Sequence, residues 1–417
     1  MIAVVAAFGL YALTGFCILC WAGIDRPALA PATGLATIGI LLATAATIGI
    51  QLDPWVLCAG LVALGTITLI RGKLPHRTPR PTLPATILAA WIVLQAAVAA
   101  HTPLGGFDGL VTWAYKAHAL FAYGTPDSPP FDPALNPGPH PEYPILWPEL
   151  QANVLRMHHG YDDGLLRAHA LVALGCLLLG AYALLADRCG RWWALAFIAP
   201  FAASPVVVAN ASAGNADAIL AGMLAIALVA TVRGLTEPED ARLLLLAGLC
   251  AGAAVLTKNE GLLGVVAILA AAAVVTRRRV LLALAAAAAV VYVPWRVFRS
   301  AHHLTDADFT LTSAHLRDRL HELPGIMVTI AGRVLAPTAW GAATILAVIL
   351  LAVARGRLRA IAVTWAVLLG AGLTLSYLAT SLDPGVRLTR NAERTTLQLV
   401  LGLLCLAALA LRRRDSA

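Results

Sequence analysis

Residues 2–22, IAVVAAFGLYALTGFCILCWA, contain no charged side chain and form the first of many apolar runs in this sequence. A run of about 20 apolar residues is long enough for a helix to cross the hydrocarbon core of a bilayer. Of the 417 residues, 60% are hydrophobic and only 12% are charged, whereas soluble domains carry about 25% charged residues. These features exclude a soluble enzyme, a secreted disulfide scaffold and a disordered chain, and they predict an all-α polytopic membrane protein.

Similar runs recur along the chain and predict about thirteen transmembrane helices. The predicted spans are 2–22, 33–50, 55–70, 83–100, 164–186, 192–209, 217–232, 242–257, 261–275, 280–295, 336–354, 360–379 and 397–411. They divide the chain into three N-terminal helices at 1–82, a core region at 83–300 with a long loop at 101–163, and a C-terminal region at 301–417.

The loops between these spans differ in charge when they are assigned alternately to the two sides of the membrane. One set carries 18 Lys and Arg against 6 Asp and Glu, and the other carries 12 against 16. Because cytoplasmic loops carry an excess of Lys and Arg, the first set is predicted to be cytoplasmic. The second set includes the long loops 101–163, 296–335 and 380–396, so recognition or chemistry is expected on the external face.

The first long external loop contains two segments with apolar residues at helical spacing, 109–122 and the stretch from Trp147 to Leu155. Both are predicted to be amphipathic helices on the membrane surface, with Trp and Tyr near the headgroups. Asp108 directly precedes the first helix, and its carboxylate is interpreted either as an N-cap or as a general base. Lys116 is interpreted either as an interfacial lysine or as a phosphate partner.

Further along the external loops, Glu142 and Tyr143 lie in the segment HPEYP, in which a proline on each side restricts the backbone. This clamp is interpreted either as a loop staple or as a preorganised wall of a sugar site. Asp217 lies at the external end of a later span, where it is interpreted either as a helix N-cap or as a site residue.

Lys258 and Glu260 lie in LTKNEG, between two apolar segments. Charged groups at membrane depth are costly, and they usually pair or mark a site. Lys258 is therefore interpreted either as a cation for an anionic lipid headgroup or as the ion-pair partner of Glu260.

The last external loop carries three arginines, Arg387, Arg390 and Arg394, at spacings that place them on one helical face. A guanidinium group binds phosphate through two parallel hydrogen bonds, so these residues are predicted to bind phosphate. Pairing with Asp383 or Glu393 is the alternative. No cofactor is expected, although a divalent metal is a further alternative, either at His302 and His303 with two aspartates of the same loop or between Asp108 and Asp217.

The order of these motifs resembles the glycosyltransferase C (GT-C) superfamily, which includes protein O-mannosyltransferases and lipid A aminoarabinose transferases. The matching segments are FDGLVTWAYKAHALF around Asp108, HPEYPILWP, GNAD with Asp217, TKNEG with Lys258, and the basic residues before a late span. The resemblance covers residues 83–300 best. The chain departs from the O-mannosyltransferases at Gly109, because those enzymes carry a second acidic residue there.

The resemblance implies transfer of a sugar from a polyprenyl-phosphate donor to an acceptor hydroxyl, with inversion, on the external face of a bacterial plasma membrane. Asp108 would be the general base, and Lys258 with Arg390 or Arg394 would stabilise the departing phosphate. The implied partners are the lipid-linked donor, a cell-envelope glycan, lipid or protein acceptor, and the bilayer, with no nucleic acid. The predicted substrate-binding residues are Lys116, Glu142, Tyr143, Asp217, Lys258, Glu260, Arg387, Arg390 and Arg394.

Two other functions remain open from the sequence. A transporter or lipid flippase would place ionisable residues and broken helices near the midplane of the bilayer. An O-antigen-ligase-like enzyme would use loop 296–325 as its site and would leave Asp108 as a helix cap. Substitution of Asp108 distinguishes the ligase-like function from the first one.

Overall fold

The computed structural model describes residues 1–71, 82–102, 105–132, 134–135, 140–237, 240–276, 278–305, 309 and 312–411. Among these residues the regular structure is helical, and one isolated backbone bridge joins Phe309 to Thr380. The α-helices are α1 (Ile2–Ala22), α2 (Ala30–Thr47), α3 (Pro54–Ile70), α4 (Leu83–Ala100), α5 (Tyr115–Tyr123), α6 (Leu146–His158), α7 (Asp163–Cys189), α8 (Arg191–Ala202), α9 (Pro205–Ser212), α10 (Asp217–Thr236), α11 (Leu243–Thr257), α12 (Asn259–Ala273), α13 (Arg278–Ala301), α14 (Ser313–Asp318), α15 (Leu323–Val334), α16 (Pro337–Trp340), α17 (Ala343–Val353), α18 (Gly356–Leu378), α19 (Pro384–Thr395) and α20 (Leu397–Ala410).

Eight helices in the described part of the chain are long and apolar enough to cross a membrane. They are α1, α2 with its preceding turn, α4, α7, α10, α13, α18, and α20 with the end of α19. α8 and α9 bend by 62° at the break between them and together form a ninth candidate, whereas α3, α11, α12 and α17 are apolar but shorter. Each predicted span thus contains a helix, but the number thirteen is not confirmed. The division of the chain at residues 82 and 300 also stays a prediction.

The centre of the bundle is formed by α7, α10 and α20. In an apolar window of 18 residues from each of these helices, 83%, 89% and 83% is buried inside the protein. α13 lies at the periphery, with only 17% of its window buried. Small residues allow close helix packing, as in other membrane bundles. A Cβ added at Gly34 of α2 would lie 1.7 Å from the backbone oxygen of Tyr11, so α1 and α2 touch through their backbones.

One end of the bundle is tied together by ion pairs between loops that the sequence assigns to the cytoplasm. Arg26, after α1, pairs with Asp187 at the end of α7 and with Asp240 before α11. Arg233, near the end of α10, also pairs with Asp240. We call these four residues the ion-paired end. Their contacts bring three loops to one side of the bundle, as the alternating assignment requires.

The first long loop contains both predicted helices, but their apolar side chains pack against protein. A π-helical turn at Gly109–Ala114 leads into α5, and α6 follows after the HPEYP segment. α6 packs against α1, α2 and α7, and its residues 146–156 are all buried. The expectation that its apolar face rests on lipid is therefore wrong. Arg156 pairs with Glu149 of the same helix at 3.0 Å and donates to the carbonyl oxygen of Leu120 in α5 at 2.7 Å, which joins α6 to α5.

Candidate active site

Lys258 lies in the extended turn between α11 and α12, at the opposite end of α10 from Arg233. Its Nζ is 2.7 Å from Oδ1 of Asp217, the first residue of α10, and 2.9 Å from Oε1 of Glu260. Lys258 and Asp217 are almost completely buried. The N-cap position of α10 is Ala216, and Asp217 is already the first residue of the helix, so the N-cap interpretation is wrong and the carboxylate serves as a partner for the lysine.

Asp108 precedes the π-helical turn, and its carboxylate forms an ion pair with the guanidinium of Arg394 on α19. It makes no side-chain hydrogen bond to the start of the helix, so the N-cap interpretation is wrong for this residue too. Arg394 also interacts electrostatically with Asp217. We call Asp108, Asp217, Lys258, Glu260 and Arg394 the ion cluster. It combines three carboxylates with two cations.

Tyr143 separates the ion cluster from a second, buried lysine. Its ring centroid is 5.7 Å from Nζ of Lys258 and 5.7 Å from Nζ of Lys116. The ring stacks on Trp113 at 5.9 Å and on His140 at 4.9 Å. His140 adopts a φ of 50°, a left-handed conformation that is uncommon for residues other than glycine. Stacking and backbone constraint together hold Tyr143 in place beside Lys258 and Lys116.

Lys116 is 1% exposed, so the interpretation as an interfacial lysine is wrong. Its Nζ donates hydrogen bonds to the carbonyl oxygens of His140 at 2.5 Å and Tyr143 at 3.2 Å. Burial lowers the pKa of Lys116 to about 7, although the negative charge of Glu142 opposes this shift. Lys116 therefore anchors the backbone of the HPEYP segment from inside the protein.

Glu142 is buried, and its Oε1 is 3.0 Å from Nδ1 of His140. Burial acts to raise the pKa of Glu142, but the hydrogen bond with His140 and the charge of Lys116 outweigh it and lower that pKa. The carboxylate is thus engaged with the HPEYP segment itself, in agreement with the staple interpretation.

Arg387 and Arg394 are the arginines of α19 whose side chains the structure describes, and they make different contacts. Arg387 donates to Oγ1 of Thr380 at 2.7 Å, and its guanidinium lies 4.4 Å from the ring centroid of Phe309. Arg394 reaches the ion cluster, and the side chain of Arg390 lies outside the described residues. The structure therefore brings Arg394 to the ion cluster.

The remaining sequence alternatives concern metal binding. Asp108 and Asp217 each face a cation, and no group of three or more His, Cys, Asp or Glu in the described ranges is arranged to hold a metal ion. His302 stacks on Phe298 at 4.1 Å, apart from the ion cluster.

Tyr377 of α18 is a site residue that the sequence analysis missed. Its hydroxyl is 2.6 Å from Oγ1 of Thr395, and it interacts electrostatically with Lys258 and Arg394. A tyrosine within an apolar span has the pattern of a packing residue, so the sequence offered no signal for it. Trp113 and His140 were missed for a different reason, because their role depends on the folded position of Tyr143.

Comparisons with known proteins agree with this architecture. Residues 144–298 match the family model described as dolichyl-phosphate-mannose-protein mannosyltransferase. The fold is similar to that of ArnT from Cupriavidus metallidurans, whose crystal structure is described as bound to undecaprenyl phosphate, with a TM-score of 0.52 and 18% identity. The match covers 80% of this chain and 60% of that protein. No curated protein gives a significant match.

These findings confirm the resemblance to the GT-C superfamily. The chain is a multi-pass membrane protein with a helical GT-C-type fold, and the matched family segment contains three members of the ion cluster, which are Asp217, Lys258 and Glu260. The chain spans less than two thirds of the protein with which it shares this fold.

Proposed function

We propose that this protein is a glycosyltransferase that moves a sugar from a polyprenyl-phosphate donor to an acceptor hydroxyl on the external face of a bacterial plasma membrane. The observation that carries the proposal is the ion cluster, in which the Asp108 carboxylate contacts the guanidinium of Arg394. This arrangement puts a base beside a cation, as attack on a phosphate-linked sugar requires. The matched family segment and the similarity to a protein that binds undecaprenyl phosphate support the choice of donor.

In the proposed reaction, the acceptor oxygen attacks the anomeric carbon while its proton passes to the Asp108 carboxylate. The bond from the anomeric carbon to the phosphate oxygen breaks, and its electron pair stays on the polyprenyl phosphate. Attack from the side opposite to the leaving group inverts the anomeric carbon. Fixed cations stabilise the charge that develops on the leaving oxygen, and Arg394 and Lys258 are placed to supply them.

The charge balance of the ion cluster indicates the order of events. Its three carboxylates outnumber its two cations, so an arriving phosphate must compete for Arg394 with Asp108. A phosphate can form the same two-bond contact with guanidinium as a carboxylate does. Donor binding would therefore release Asp108 from its ion pair and make the carboxylate available as a base. Asp217 and Glu260 would keep Lys258 in place during this exchange.

An apolar groove offers a path for the polyprenyl chain. It encloses about 560 Å³ between α15, α17, α18 and α20, and its lining includes Ile330, Val334, Thr374, Leu378 and Leu399. Leu378 directly follows Tyr377, which interacts electrostatically with Lys258 and Arg394 of the ion cluster. A lipid chain in this groove would thus have its phosphate end close to Arg394.

The test uses the full-length protein in lipid nanodiscs, undecaprenyl-phosphate sugars and a cell-envelope extract as the source of acceptors. Released undecaprenyl phosphate is measured for wild type, Asp108→Asn and Asp318→Asn. We expect Asp108→Asn to reduce release by about 10²- to 10⁴-fold, because it removes a general base. Asp318 is an exposed aspartate of another external loop, and Asp318→Asn is expected to behave as wild type.

The same experiment tests the ligase-like alternative. That function requires loop 296–325, where His315 lies 3.1 Å from the carbonyl oxygen of Thr380 and Arg319 donates to the same oxygen at 2.9 Å. These contacts indicate that the two residues anchor the loop. If release survives in Asp108→Asn, Asp108 is not the base and the ligase-like function replaces the one proposed here.

A further inference from the structure

A second cavity lies on the predicted external side, between the loop after α5 and the end of α13. It encloses about 440 Å³, and its lining includes Asp127, Phe131, Asp132, Phe298 and His302. Cavities of about 300–1,000 Å³ are typical of small-molecule sites. None of the five ion-cluster residues is among the described residues that line it, so it is distinct from the candidate active site.

The side chains of this cavity combine aromatic faces with hydrogen-bond acceptors. The ring of His302 stacks on Phe298 with a centroid separation of 4.1 Å and an angle of 28° between planes. Asp127 lies across from it, with Oδ1 3.8 Å from Nδ1 of His302. A sugar ring presents an apolar C–H face and an edge of hydroxyl donors. Aromatic rings match that face, and carboxylates accept from those hydroxyls.

The charge of the cavity limits the class of ligand. Asp127 and Asp132 both line it, and the neighbouring cation Arg299 donates through Nε to the carbonyl of Leu304 at 2.9 Å. Two carboxylates at the lining disfavour phosphate and uronic acid groups, because like charges repel. The described residues here also form no three-ligand group for a metal. The lining therefore fits an uncharged, hydroxyl-rich ligand.

A continuous row of side chains connects this cavity to the ion cluster. The buried ring of Phe131 lies 5.9 Å from Nζ of Lys116, which lies 5.7 Å from the ring of Tyr143. Nζ of Lys258 lies 5.7 Å from the centroid of the same Tyr143 ring. These side chains lie between the cavity and the ion cluster, so we expect a ligand that contacts both to have more than one sugar unit.

We propose that the cavity binds a neutral sugar unit of a glycan and holds it beside the unit whose hydroxyl is at the ion cluster. The lining of the cavity is the support for glycan binding, whereas the role of the glycan as the acceptor rests on the proposed transferase function. The glycan is favoured over an anionic lipid headgroup by the two carboxylates of the lining.

Saturation-transfer difference NMR on the full-length protein in nanodiscs tests this proposal. The neutral probes are the trisaccharides of mannose, glucose and galactose, with trigalacturonate as the anionic probe and fully deacetylated chitotriose as the cationic one. We expect at least one neutral trisaccharide to bind and trigalacturonate to bind at least tenfold more weakly. Asp127→Asn and His302→Ala should each weaken the neutral probe at least fivefold. Both residues are exposed, so neither change is expected to disturb folding.

Asp318→Asn and His321→Ala are the matched controls, because they change an exposed aspartate and histidine outside the cavity. Equal loss of binding in these controls, no binding of any neutral trisaccharide, or binding of chitotriose alone would overturn the proposal. Donor release is measured on the same samples. Glycan binding without donor release from wild type would contradict the transferase function, whereas normal release without glycan binding would contradict the cavity proposal.

Discussion

Lys116 is a buried lysine outside the ion cluster, and its Nζ holds the HPEYP segment through hydrogen bonds to two carbonyl oxygens. The pKa of its amine is about 7 in the folded protein, whereas an unfolded lysine titrates near about 10.4. Between these values the unfolded chain binds more protons than the folded one, so stability rises with pH. This contribution is complete above the unfolded pKa and is lost as the pH falls through about 7, the folded value.

We expect Lys116→Met to remove that pH dependence. The Tm of wild type and variant is measured by tryptophan fluorescence in detergent at pH values from 6 to 10, and the difference between them is plotted against pH. The wild type should gain stability relative to Lys116→Met as the pH rises above about 7, because protonation of the buried amine is then no longer required. A difference that stays constant with pH would contradict the buried position of this lysine.

Single residues could be selected from the sequence, and Glu260 was named as a partner of Lys258, but partners in distant segments could not be identified. Asp108, Asp217 and Lys258 were identified because charges are scarce and costly near apolar segments. The contact between Asp108 and Arg394 joins the first long loop to the last external helix, and nothing in either segment indicates the other. For the same reason, the sequence left Asp108 and Asp217 open between helix cap and site residue.

At the level of elements, the π-helical turn at Gly109–Ala114 determines where Asp108 points. π-Helical turns are rare and frequently occur at functional sites. Here the turn comes so close to the end of α9 that a Cβ added at Gly109 would lie 1.9 Å from the carbonyl oxygen of Ala213. The glycine that departs from the O-mannosyltransferase pattern is thus required by packing in this chain.

We therefore expect Gly109→Ala to displace the turn and separate Asp108 from Arg394. The expected cost is about 1–3 kcal/mol of stability, as for other overpacked positions, with a loss of donor release of at least tenfold. Gly105→Ala is the matched control, because a Cβ at Gly105 would meet no atom within 4 Å. Tm and release are measured for both variants. Normal release from Gly109→Ala would show that the close approach is not needed for the site.

For the whole molecule, the two ends of the bundle differ in a way that labelling can measure. Arg191 is exposed at the start of α8, near the ion-paired end, and His321 is exposed in an external loop of the predicted topology. A membrane-impermeant maleimide added to intact cells should label His321→Cys and leave Arg191→Cys unlabelled until the membrane is permeabilised. The wild type, with its seven native cysteines, supplies the background. Labelling of Arg191→Cys alone in intact cells would reverse the orientation.

The class of the protein follows from composition and patterning alone, since long apolar runs with few charges are stable as helices in a bilayer. The charge bias of loops, a local property of composition, also predicts which loops share a side, and the structure agrees for the three loops joined at the ion-paired end. Both features survive in the structure as helices at every predicted span and as the loops joined by Arg26, Asp187 and Asp240.

The assembly of the site and the identity of the buried helices follow from the folded arrangement of the chain. The burial of α6, the enclosed position of Lys116 and the pairing of Asp108 with Arg394 all depend on contacts between distant segments. An amphipathic pattern states which face of a helix is apolar, but protein and lipid are both apolar partners for that face. Whether a face packs on protein or on lipid depends on how the helices are arranged around one another. The same is true of the choice of an ion-pair partner.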